Sequence, residues 1–288
     1  MSETVARIRI ELEDTDPLVW RELDLPMSTT LAALHDIIQV VMDWWDYHLY
    51  EFVIGDKIYG EPHPDDEIYE RKVYKAKAIR LGTLLDRDVR AFLYVYDFGD
   101  NWRHRITVES VRQGDADTEY PKFIAGARRA PPEDVGGITG FEEFLEAVSD
   151  PEHEDHERLL EWYGKPFDPE DIDERSLHVS INDFAARAAP EASRRCAQKA
   201  VVTGFVYVLG SRTSCGYRTY VGWTLDLERR LAEHNSGTGA KSTRGIVWTL
   251  IYAERWPSRI EAMRREWHLK RDRSLRQRLA RSAQGLGR

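Results

Sequence analysis

A chain of 288 residues with 42% hydrophobic and 32% charged residues has room for about two domains and is too apolar for wholesale disorder or a collagen-like repeat. It contains no apolar run of about 18 residues that would read as a membrane span, and its two cysteines, Cys196 and Cys215, exclude a disulfide framework and a four-cysteine zinc site. The net charge of −9 conceals a split: residues 1–190 hold 21 Lys and Arg against 42 Asp and Glu, a net −21, whereas residues 191–288 hold 20 against 8, a net +12.

That asymmetry predicts two domains with different partners, the basic one suited to a polyanion. The opening MSETVARIRI lacks the apolar stretch of a secretory leader, so the expectation is a cytoplasmic protein with no membrane partner. Ala6, Ile8, Ile10 and Leu12 alternate with Arg7, Arg9 and Glu11, the period of a half-buried strand, and residues 18–25 read as a second. Ser28, Thr29 and Thr30 offer N-caps for a helix carrying Leu31, Leu34, Ile38, Val41 and Met42, ending at Trp44 and Trp45. Residues 48–54 read as a strand, with Gly55-Asp56 turning into Lys57-Ile58-Tyr59, and EPHPDDEIYE (61–70) as an exposed acidic loop. Residues 91–96 and 102–109 read as a hairpin around Asp97-Phe98-Gly99-Asp100-Asn101. A Pro-rich loop at 131–137 precedes helices at 141–148 and 156–163.

Residues 186–202, rich in Ala and with Pro190 at the charge reversal, are read as a linker between domains 1–185 and 203–288. Beyond it, strands at 205–209 and 219–223 flank a turn containing Gly210, Ser214 and Gly216. Asp226 caps a helix to about His234, stopped by Asn235-Ser236-Gly237-Thr238-Gly239. A strand at 247–253 and helices at 258–270 and 275–280 follow. Both halves read as α+β: an acidic mixed domain, then a small basic one with a short antiparallel sheet flanked by helices.

The basic domain holds a set of residues able to hydrolyse a phosphodiester. Tyr207 and Tyr220 lie on adjacent strands, and Arg230 and His234 are four apart on one helix face. Glu266 lies on a later helix beside Arg264, Arg265 and Lys270. A carboxylate can hold a divalent metal, a guanidinium can stabilise pentacovalent charge, and a phenol or imidazole can position or deprotonate water. These residues, read with Phe205-Val206-Tyr207, Tyr220-Val221-Gly222, the helix from Asp226 to Asn235, the loop from Ser236 to Gly245 and Ala262-Met263-Arg264-Arg265-Glu266, make the domain resemble the GIY-YIG nuclease family, of the small stand-alone bacterial type. It departs from the family pattern at Phe205, where the first half-motif has glycine, and at Trp223, where some relatives have lysine.

The resemblance implies an endonuclease acting on DNA with one Mg2+ or Mn2+. Tyr220 would be general base, Tyr207 its supporting phenol and Arg230 the phosphate contact. His234 would orient water or phosphate, and Glu266 would bind the metal. Lys241, Thr243 and Arg244 could cradle a phosphate, and Arg265 and Lys270 could add backbone contacts.

The first domain carries Val19-Trp20-Arg21, Leu34-His35-Asp36, His48-Leu49-Tyr50-Glu51-Phe52, residues 96–104 and Pro131-Pro132-Glu133-Asp134-Val135-Gly136-Gly137, and on these it resembles the plasmid pRiA4b ORF-3-like family, sometimes described as passengers of mobile elements. Asp97, Asp100, His104, Glu133 and Asp134 could converge on a cation, but the simpler reading has the 97–101 turn capping its own backbone, Trp102 in the core, and His35 and His48 packed. The −21 charge points this domain to a protein partner or to an intramolecular contact with the basic domain. Two other functions compete with the nuclease reading: a nucleic-acid-binding module without cleavage, and an interaction protein acting through the acidic domain.

Overall fold

The computed structural model describes residues 3–62, 66, 71–164, 166–188, 204–213, 216–256 and 259–285. The chain divides into two compact units, Met1–Ser193 and Arg194–Arg288.

The first unit is built on an eight-stranded sheet, in the order β5-β4-β3-β6-β7-β1-β2-β8. The strands are β1 (Thr4–Leu12), β2 (Val19–Pro26), β3 (Tyr50–Ile54), β4 (Lys57–Gly60), β5 (Val73–Lys75), β6 (Ala91–Tyr96), β7 (Trp102–Gln113) and β8 (Lys122–Ala127). All neighbours are antiparallel except β4 and β5. The helices are α1 (Leu31–Val41), α2 (Leu81–Leu85), α3 (Gly137–Ser149), α4 (His156–Tyr163) and α5 (Glu174–Ala188).

The alternation in β1 decides which way it faces. Ala6, Ile8, Ile10 and Leu12 join one apolar cluster with Leu34 and Ile38 of α1, Phe141 and Phe144 of α3 and Ile181 of α5. On the opposite side Arg7 pairs in register with Asp24, which accepts both Arg7 Nε and Nη2 at 2.9 Å. Thr30 caps α1 by accepting from Ala33 N at 3.1 Å. Arg21 explains the Val-Trp-Arg signature. Its buried guanidinium donates to the carbonyls of Val41, Trp20, Ala127 and Arg128, joining the end of α1 to β2 and β8. Burial lowers its pKa to about 10.

The structure departs from the sequence reading in several places. α1 ends at Val41, before the two tryptophans, and β8 and α5 were not anticipated. α5 continues to Ala188, so the first three residues of the expected linker are helical, while 189–202 lie outside the described residues. Most of the 61–70 loop also lies outside them.

The second unit has a three-stranded antiparallel sheet, β10-β9-β11, formed by β9 (Gly204–Thr213), β10 (Gly216–Thr224) and β11 (Thr249–Trp256). Its helices are α6 (Leu227–Ser236), α7 (Arg259–Arg271) and α8 (Arg273–Ala283). The hairpin is longer than expected, because Gly210 is not in the turn but inside β9, opposite Thr219. Val206, Val208 and Val221 pack with Ala262 and Leu269 of α7. Tyr207 and Leu209, pointing the other way, pack with Tyr220, Trp248 and Leu227 and Leu231 of α6. The sheet is therefore covered on both faces, and β10 is an edge strand. No helix among the described residues is long and apolar enough to cross a membrane.

Candidate active site

The two phenols share a face because of register. Tyr207 stands opposite Gly222, so Tyr220, two residues back on β10, lies on the same side. Gly222 is required there: a Cβ on it would lie 2.5 Å from the Tyr207 hydroxyl and 2.6 Å from Cζ. The Tyr207 ring thus crosses over β10, with its centroid 6.4 Å from that of Tyr220.

Asp226 caps α6 by accepting from Arg229 N at 3.0 Å. The helix turns Leu227, Leu231 and His234 to the sheet and ends at Gly237, φ 85°. The chain then folds back so closely that a Cβ on Gly239 would meet His234 Nδ1 at 2.6 Å. His234 is buried, with Nε2 2.7 Å from the Tyr207 hydroxyl and Nδ1 2.8 Å from Thr243 Oγ1. The Tyr220 ring meets the imidazole edge-on at 4.8 Å.

Donor counting fixes the direction of this chain. Thr243 Oγ1 donates its one hydrogen to Ala240 O at 2.7 Å, so towards His234 it accepts from Nδ1–H. In the neutral imidazole Nε2 is then an acceptor, and the Tyr207 hydroxyl donates to it. Trp248 holds the turn in place by donating Nε1–H to Thr243 O at 2.7 Å, while Asn235 brackets the Trp248 backbone at 2.7 and 3.1 Å.

Of the other expected residues, Arg230 lies on α6, and Glu266, Arg265 and Lys270 lie on α7. Arg230 donates to Glu233 at 2.9 Å. Glu266 is buried on the α7 stripe that includes Ala262 and Leu269, and Lys270 Nζ lies 2.6 Å from its Oε1. Arg265 donates both Nε and Nη2 to Glu254, at 2.8 and 2.7 Å. Burial would push the Glu254 carboxyl up, but Arg265 and Tyr252 outweigh it and hold it below the usual carboxylate range.

Thr243 requires a correction. It is fully buried and orients His234, so its hydroxyl does not face a phosphate. Arg244 beside it is half-buried, and the Lys241 side chain lies outside the described residues. Trp248 and a groove of about 690 Å3 lined by Arg212, Tyr217 and Arg218 were missed by the sequence reading. They fall in a loop and in a hairpin extension that carry no motif.

A lone carboxylate suits an ion completed by water and phosphate, as for Mg2+, rather than one in a protein cage. Among the described residues, the group of three potential ligands lies instead in the first unit: His48, Asp97 and Asp134. There His104, expected near the acids, is a core residue packed edge-on against Trp44 at 5.4 Å, and burial lowers its pKa to about 3. His35 is likewise engaged in packing, stacked on Tyr50 at 3.6 Å. For His48, burial alone would lower the pKa, but Asp97 and Asp134 outweigh it and raise it to about 10. Burial and the neighbouring Asp97 push Asp100 up to about 6.

The chain thus has two compact units, and the C-terminal one carries the buried Tyr-His-Thr chain. Residues 203–278 match the GIY-YIG catalytic domain and residues 4–176 match the plasmid pRiA4b ORF-3-like protein. The chain belongs to the plasmid pRiA4b ORF-3-like family and carries a GIY-YIG nuclease-family domain in its C-terminal part. It is 35% identical over 196 residues to the uncharacterized protein y4hQ of Sinorhizobium fredii, covering 68% of this chain and all of that one. A UPF0213 protein of Halobacterium salinarum is 54% identical over 52 residues, which is 18% of this chain and 68% of that protein. The crystal structure of a protein of unknown function from Methanosarcina mazei superposes with a TM-score of 0.56 at 35% identity, covering 61% of this chain and 97% of that one.

Proposed function

We propose that the C-terminal unit is a metal-dependent endonuclease that hydrolyses phosphodiester bonds in DNA. The observation that carries this reading is the Tyr207–His234–Thr243 chain with Tyr220 against the same imidazole, a buried acid–base array beside an edge strand. Tyr220, acting as the phenolate, takes the proton of the attacking water as the new P–O bond forms, and the leaving oxygen takes a proton from solvent as its bond to phosphorus breaks. Tyr207, anchored by His234, supports that phenol. Arg230, released from Glu233, stabilises the charge on the phosphate. Glu266 is the residue that would hold one Mg2+ or Mn2+, an ion that polarises the phosphate and neutralises the leaving oxygen when bound. A phosphate laid along the β10 edge would meet the adjoining groove, where Arg212 and Arg218 take the flanking backbone.

The test compares the full chain with Glu266→Ala and Tyr220→Phe, with and without Mg2+, on labelled duplex, single-stranded and branched DNA and on RNA. Cleavage of DNA by the wild type alone, and only with the ion, is expected. The Lys270–Glu266 and Arg230–Glu233 pairs favour the second reading, a binding module without cleavage. Binding by all three proteins with no cutting by any would establish it and overturn the first.

A further inference from the structure

We propose that the first unit binds a divalent transition-metal ion through His48, Asp97 and Asp134, a site independent of the nuclease-type unit. Three separate stretches supply the donors: the segment before β3, the β6–β7 turn and the 131–137 loop. His48 Nε2 lies 3.5 Å from Asp97 Oδ2 and 3.4 Å from Asp134 Oδ1, and the three donor atoms fall within 4.8 Å of one another. Both contacts are longer than the about 2.7–2.9 Å of a charge-assisted hydrogen bond. They match the edge of a coordination tetrahedron, since metal–ligand bonds of about 2.0–2.2 Å set neighbouring donors about 3.3–3.6 Å apart.

Two further observations point to a ligand. His48 Nε2 is buried and faces both aspartate oxygens without a well-formed hydrogen bond to either. The Asp97 side chain, only 9% exposed, gives Oδ1 to Gly99 N at 2.8 Å and turns Oδ2 to His48. The surrounding loops are tied together so that the donors are held before an ion arrives. Asp100 accepts from Gly136 N at 3.1 Å, Tyr96 donates to Glu133, Glu133 accepts from Trp45 N at 2.9 Å, and Trp44 Nε1 donates to Pro131 O at 2.8 Å.

One imidazole and two carboxylates suit Zn2+ or Mn2+ better than Ca2+ or Mg2+, which favour oxygen alone. Three protein donors leave a fourth position for water or a small ligand. Trp45 and Tyr47, 69% and 42% exposed and stacked at 6.3 Å, provide an accessible aromatic flank close in sequence to His48.

The competing account is an imidazolium ion-paired to the same aspartates, and zinc separates the two. The full chain carrying Glu266→Gln, so that an ion on the other unit does not count, is dialysed against ZnCl2 and its zinc quantified, with Co2+ substituted to read coordination from the visible spectrum. One zinc per chain, a tetrahedral Co2+ spectrum and a zinc-dependent rise in the unfolding midpoint are expected. Adding His48→Gln or Asp134→Asn should weaken zinc binding at least about tenfold and abolish the spectrum. If His48→Gln does not fold, Asp134→Asn, at a half-buried loop position, decides alone. No zinc on the Glu266→Gln chain, unchanged binding in the variants, or destabilisation that is equal with and without zinc overturns the proposal.

Discussion

Replacing Thr243 by valine keeps the shape of a fully buried side chain and deletes one hydroxyl. That hydroxyl accepts from His234 Nδ1 and donates to Ala240 O. Ala240 O keeps the Thr243 backbone N–H at 2.9 Å, so the loss falls on the imidazole. His234 is 1% exposed, and water cannot replace the missing partner. If the ring keeps its tautomer, Nδ1–H is orphaned; if it switches, Nε2–H meets the Tyr207 oxygen and the phenol must find another acceptor. Either way one buried polar group goes unsatisfied, at a cost of about 1–3 kcal/mol. In a domain of 60–100 residues each kcal/mol moves the midpoint by about 4–8 °C, so a loss near the middle of that range lowers the transition of the C-terminal unit by about 8–16 °C. Scanning calorimetry of the full chain reads the shift, and Thr243→Ser should retain most of the stability. Nitrogen NMR of the wild-type ring should show the Nδ1–H tautomer. A midpoint moved by less than about 2 °C, or an Nε2–H ring in the wild type, would refute the hydrogen-bond direction derived above.

Gly222→Ala places a methyl 2.5 Å from the Tyr207 hydroxyl, so the ring must move off His234; a loss of about 1–3 kcal/mol in chemical denaturation is expected, and an unchanged midpoint would show that the ring has room. Arg21→Lys keeps the charge, but an ammonium cannot span carbonyls on both α1 and β8; a loss of at least about 3 kcal/mol in urea is expected, and less than about 1 kcal/mol would mean that those carbonyls are satisfied otherwise. His104 titrates at about 3 in the folded chain against 6.5 unfolded, so between those values the unfolded chain binds the extra proton and stability falls as pH falls. Wild type should therefore lose up to about 1.4 kcal/mol per pH unit more than His104→Phe below pH 6.5, and parallel stability–pH curves would refute this.

Local physics made much of the molecule legible in its sequence. Period-two alternation placed β1 and its inward face, and Thr30 and Asp226 marked two helix starts through the same capping chemistry. The charge reversal separated acidic and basic halves before any contact was known. Gly222 and Gly237 stand where a ring crosses a strand and where a helix ends in the left-handed region.

What the sequence left undecided depends on partners distant along the chain. Nothing local distinguishes a Thr243 that cradles phosphate from one that fixes a histidine tautomer; the fold back at Gly239 decides it. The sequence reading set His104 among the acids and took His48 as packed, yet β7 turns His104 into an apolar core while two loops bring aspartates to His48. Side-chain direction, burial and donor counting are properties of packed three-dimensional neighbours, whereas alternation, capping and charge balance are written along the chain.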